Sequence, residues 1–93
     1  MGKHYIERTG RSNLAKNLKL LRMKHKYTQG EIAKRLNISR SAYTYYEMGN
    51  TEPSINSIEI LSRIYGVKIE DLLQSYEILK EKLGINNSKA GKS

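Results

Sequence analysis

The stretch TQGEIAKRLNISRSAYTYYEM, residues 28–48, decides the fold. From Gln29 to Leu36, the apolar or small residues Ile32, Ala33 and Leu36 recur three and four apart, on one face of a helix. Asn37-Ile38-Ser39 follows. Asn tolerates the left-handed backbone that ends a helix, and Ser is a good N-cap for the next one. The spacing predicts a second helix over residues 40–48. Tyr43 and Tyr46 share its inner face, while Arg40, Ser41, Thr44 and Tyr45 point away or flank it. Ala33 is small where two crossing helices come closest. Two short helices around a three-residue corner, the second with a polar outer face, outline a helix-turn-helix. Such a unit lays its second helix in the DNA major groove.

The flanking sequence supplies the rest of a bundle. Ser12 or Asn13 caps a first helix that runs to about residue 26, with Leu14, Leu18 and Leu21 as its buried stripe. Thr28-x-x-Glu31 fits a capping box. Gly49 ends the second short helix, Pro53 marks a loop and Ser54 caps a helix over residues 55–65. Ile55, Ile58, Leu61 and Tyr65 fall on one side of that helix, and Gly66 stops it. A fifth helix starts near Ile69. Leu72, Leu73, Tyr76, Leu79 and Leu83 continue an apolar stripe to Gly84, as one long helix or as two short ones. The expected architecture is all-α: a compact five-helix domain with an extra C-terminal helical segment. It divides into a basic arm at 1–12, the domain at 13–73 with its recognition helix at 40–48, a helical extension at 74–84 and a flexible tail at 85–93.

Composition narrows the function. Ninety-three residues suit one modest core. There is no cysteine, and His4 and His25 lie far apart, so no metal site is expected. No acid–base pair or nucleophile–base set stands out, and the glycines read as helix stops rather than a phosphate cradle. An enzyme is therefore not expected, nor is a cofactor. No apolar run is long enough for a membrane and no export leader opens the chain, which places it in the cytoplasm. The net charge of +8 is uneven: residues 1–26 hold eight Lys or Arg against one Glu, whereas residues 27–53 are neutral. A basic flank beside a neutral reading unit suits a polyanion, and Lys3, His4, Arg8 and Arg11 of the arm could settle on phosphates. RNA is disfavoured because no surface aromatics of a sheet platform are present.

The ordered set Leu21-Arg22, Thr28-Gln29-x-Glu31-Ile32-Ala33-x-x-Leu36, Ile38-Ser39-Arg40-Ser41, Tyr46-Glu47-x-Gly49, Pro53-Ser54 and Gly66-Val67 before Leu72-Leu73 carries a resemblance. Residues 14–73 resemble the lambda-repressor/Cro-like helix-turn-helix domain, the XRE family. The resemblance implies double-stranded DNA as the partner. By it, Gln29 touches a backbone phosphate and braces the recognition helix. Arg40, Ser41 and Tyr45 take the base-reading positions, Ser39 caps and touches phosphate, and Thr44 is a lesser phosphate contact. Asn50, in a loop whose amides and polar side chains hold the next phosphate, stands where the family often has Lys or Arg. Arg22 and Glu47 match a structural pair joining the first helix to the recognition helix. Chemically, Arg40 can pair bidentately with guanine, and Tyr45 can meet a thymine methyl.

Two functions compete at this level. One is a sequence-specific transcriptional regulator, a repressor acting as a homodimer on a palindromic operator. Its dimer surface would lie in the helix 4–5 region or on the stripe Tyr76, Leu79, Leu83. The other is an antitoxin or anti-regulator that holds a protein partner and regulates its own operon. A restriction–modification controller is a third variant within the DNA-binding class.

Overall fold

Among residues 12–85, which the computed structural model describes, six helices are the only regular structure. They are α1 (Asn13–Lys24), α2 (Gln29–Leu36), α3 (Arg40–Met48), α4 (Ile55–Tyr65), α5 (Ile69–Leu73) and α6 (Tyr76–Lys82). The basic arm apart from Ser12, and the tail apart from Ile85, lie outside the described residues.

Local chemistry sets most of the boundaries. Ser12, Thr28, Ser39, Ser54 and Ser75 each accept a bond from a backbone N–H of the first turn they precede. Thr28 and Glu31 complete the capping box, with Glu31 accepting from the Thr28 amide at 2.8 Å. Asn37 takes φ 61°, the left-handed corner expected of it, and Gly49 ends α3 with φ 80°. The first helix stops earlier than its periodicity suggests. Lys26 takes φ 63° and the Tyr27 amide reaches back to the Arg22 carbonyl at 3.0 Å, closing a left-handed C-terminal motif without glycine.

The core draws on every helix: Leu18 and Leu21, then Ile32, Ala33 and Leu36, then Tyr43, Leu61, Tyr65, Leu72 and Leu79. Helix α1 is the central strut. It packs on α3, α5 and α6, while α2 packs on α3 and α4. Two expectations change. Ile55, the first residue of α4, is 77% exposed, and Leu73 faces outward. The C-terminal stripe takes the second of its two alternatives, two short helices, and rather than forming a dimer surface it turns inward: Leu79 is buried and Leu83 packs against the core. Burying one leucine is worth about 1.5–3 kcal/mol, so α6 stabilises the body of the molecule.

The split between α5 and α6 has a specific cause. Asn17 is fully buried, and its Nδ2 donates to the carbonyls of Leu72 at 2.9 Å and Gln74 at 2.8 Å. One turn earlier, Asn13 Oδ1 accepts from the Tyr76 amide at 3.0 Å. The two asparagines, four apart on α1, satisfy the carbonyls that end α5 and an amide that begins α6. Asp71 adds a second clasp. It accepts from the Lys68 amide, from Gln74 and from the Lys82 ammonium at 2.9 Å. The Lys82 bond, then the backbone bond, hold its carboxyl below the ordinary value.

Candidate nucleic-acid interface

Helix α3 has two dissimilar sides. On the inner one, Tyr43 is fully buried and meets the half-buried Tyr46 edge-on, ring centroids 6.0 Å apart. Burial rules out Tyr43 as a base-stacking platform. Its hydroxyl donates to Glu47 Oε2 at 2.6 Å. Arg22 donates to the same carboxylate through Nε at 2.6 Å and Nη2 at 3.0 Å, and ties Nη1 to the Tyr27 carbonyl at 3.0 Å. The pair anticipated from the sequence is thus bidentate, and Glu47 is 2% exposed.

Burial pushes the Glu47 carboxyl up, but the bonds from Arg22, Tyr43 and Gln29 outweigh it and hold it below its ordinary value. The bond to Glu47 raises the Arg22 guanidinium in turn. Burial first, then that carboxylate, push the Tyr43 hydroxyl far up, so it stays a donor.

The network continues to the surface. Gln29 Nε2 donates to Glu47 Oε1 at 3.0 Å, and Thr44 donates its hydroxyl to Gln29 Oε1 at 2.8 Å. Gln29 is therefore gripped by two residues of α3 at the N-terminus of α2. The Thr44 hydroxyl has its proton directed to Gln29, which leaves its oxygen as an acceptor and weakens it as a phosphate donor.

On the outer side, Arg40, Ser41 and Tyr45 are exposed and, with Thr44, line a shallow concavity of about 150 Å³. Ser39 is exposed; its hydroxyl oxygen accepts from the Ala42 amide as the cap of α3, which leaves the hydroxyl proton to donate. Asn50 is exposed just past the helix end. The backbone amides expected near it to meet a phosphate are turned inward: Gly49 donates to the Tyr46 carbonyl and Asn50 to the Tyr45 carbonyl at 3.0 Å. At these two positions only the Asn50 side chain remains for a ligand. Gln29, Ser39, Arg40, Ser41, Thr44 and Tyr45 thus fall on α3 and the adjoining start of α2, with Asn50 at the far end of α3.

Sequence reasoning missed the Asn13–Asn17 ladder and the bond from Thr44 to Gln29. Asn17 sits inside the buried 14-18-21 stripe of α1, and a polar residue there is the signal that an opposing backbone needs a partner. Among the described residues no group of acidic or histidine side chains could hold a metal ion, and no helix is long and apolar enough to cross a membrane.

Residues 18–72 match the helix-turn-helix family model, more than half of the chain. The chain belongs to the XRE, lambda-repressor-like, helix-turn-helix family. That family is a DNA-binding, non-enzymatic class of transcription regulators. Over 60 residues the chain is 40% identical to the HTH-type transcriptional regulator YqaE of Bacillus subtilis (strain 168), covering 64% of this chain and 52% of YqaE. It is 33% identical over 64 residues to the cryptic phage CTXphi transcriptional repressor RstR of Vibrio cholerae, covering 68% of this chain and 58% of RstR. The matches thus span only about half the length of these curated relatives. The fold of this XRE member is also that of a chain in the SinR protein/SinI protein complex. The TM-score is 0.63 and the identity 26%, over 86% of this chain and 82% of that one.

Proposed function

We propose that this chain is a sequence-specific transcriptional repressor of the cytoplasm, acting as a homodimer on a palindromic operator through a DNA-binding domain at residues 13–73. The observation that carries the reading is the division of α3: Tyr43 and Glu47 fix its inner side, and Arg40, Ser41 and Tyr45 stand free along the outer one. A helix held rigidly by a bidentate ion pair presents its outer side chains at a defined depth to base edges. Arg40 reads guanine, Ser41 and Tyr45 flank it, and Gln29, Ser39 and Asn50 meet the backbone, with Thr44 holding Gln29 in place for that contact.

Two such helices about 34 Å apart would read a two-fold symmetric site. With Leu79 buried, the dimer contact falls to the apolar side chains left outside on the helices after the reading unit, Ile55, Ile69, Leu73 and Ile78. Selection of bound duplexes from a random DNA pool tests the reading, and a symmetric consensus supports it. Arg40→Ala should cost about 1–3 kcal/mol of specific affinity and relax preference at one position. An equal loss on every sequence, with a shallower salt slope, would assign Arg40 to phosphate.

A second reading, an anti-regulator or antitoxin that holds a protein partner, draws support from the likeness to the SinR/SinI complex. Co-purification of one stoichiometric partner with loss of operator binding would favour it.

A further inference from the structure

On α1, Arg22 faces α3, and Leu20 lies two positions away, on the far side of the helix. There the outer face of α1 and the start of α6 enclose a groove of about 410 Å³. Leu20, Met23, Tyr76 and Ile85 form its floor, and Lys16, Lys19 and Lys24 its rim; no carboxylate lines it. Met23 is 58% exposed, an unbranched side chain that adapts to what lies on it. Lys16 and Lys80 stand over the Tyr76 ring at 5.9 and 5.3 Å, adding positive charge along the same edge.

We propose that this groove docks an acidic amphipathic segment of a partner protein, a helix whose apolar side covers Met23 and Leu20 while its carboxylates meet the lysine rim. The chemistry selects this occupant. A phosphate backbone would use the lysines and leave the apolar floor uncovered. A second copy of the chain would bring two lysine rims together, at a cost in repulsion. The sequence after Ile85 adds Lys89 and Lys92 and no acid, so it repels the rim as well. Helix-in-groove recognition needs anchors at i, i+3 or i+4 and i+7, which a groove lined along α1 from Lys16 to Lys24 accepts. The site lies on the side of α1 opposite α3, and it stands apart from the DNA reading.

The test titrates the isotope-labelled full chain with a synthetic peptide carrying leucines at that spacing and glutamates elsewhere, and with a scrambled peptide of the same composition. The expected result is saturable shifts confined to the groove residues, with about tenfold weaker binding for the scrambled peptide and for Met23→Glu and Lys19→Glu. Both substituted residues are exposed; circular dichroism checks that the variants fold, and operator binding by Met23→Glu should be unchanged. Absence of saturable binding overturns the proposal, as does an equal response to the scrambled peptide. Contacts between Tyr5 or Ile6 and Met23 in the free chain would also overturn it, by giving the groove to the chain's own N-terminal segment.

Discussion

At Arg22, helix α1 is joined to α3 by charge. At Asn17, earlier on the same helix, it is joined to the C-terminal end of α5 by a neutral amide. Both junctions are buried and both tie residues far apart in sequence, yet they fail differently. The charged one concentrates several bonds on Glu47, so removing one partner strands a carboxylate in the interior. The neutral one satisfies two carbonyls, and its own Oδ1 has no partner. A charged hub fixes an angle firmly at the cost of sensitivity to protons; a neutral hub holds less tightly at every pH.

The largest test of that contrast is Arg22→Ala. Leaving Glu47 buried without its cation should cost about 3–5 kcal/mol, read as a lower urea midpoint. A loss below about 1 kcal/mol would mean that the pair behaves as an exposed one. Asn17→Ala should cost less, about 1–3 kcal/mol for two lost bonds to backbone carbonyls. Its thermal midpoint should fall by a similar amount at neutral and acid pH.

The pH test separates the junctions directly. The folded-state pKa of Glu47 lies below its ordinary value of 4.5. Its stabilisation is therefore complete above about pH 4.5 and fades as pH falls through the folded value. Glu47→Gln should flatten that acid slope. Asp71→Asn should flatten it much less, because Asp71 lies near the surface and its ion pair is screened. An unchanged slope in Glu47→Gln would break the distinction. The smallest expected effect is a gain. Lys26 holds a left-handed backbone at the end of α1, and Lys26→Gly should stabilise by about 1 kcal/mol in thermal unfolding.

What the sequence made legible was whatever short-range chemistry dictates. The capping box at Thr28 and Glu31, the corner at Asn37 and the stops at Gly49 and Gly66 follow from residues a few positions apart, and each stands where it was expected. The Arg22–Glu47 pair was legible only through the family resemblance, since nothing local links residues so far apart. Whether α5 and α6 are one helix or two stayed open in the sequence, because the apolar period runs through Gln74 and Ser75 and the bonds that decide it come from α1 as well as from the Ser75 cap. The fates of Ile55 and Leu79 followed the same rule, for spacing names a face but not what lies opposite it. In the candidate interface, exposure of Arg40, Ser41 and Tyr45 came from periodicity. The inward turn of the Gly49 and Asn50 amides came from a helix terminus needing its own donors.

The amide of Gln29 has one orientation imposed on it, nitrogen toward the Glu47 carboxylate and oxygen toward the Thr44 hydroxyl. Both constraints belong to α3, although Gln29 opens α2. Any tilt or slide of α3 therefore drags that amide along. The Gln29 amide and the backbone of α3 that carries Arg40 thus move as one body, and on the proposed reading a duplex of altered groove width would lose both contacts together.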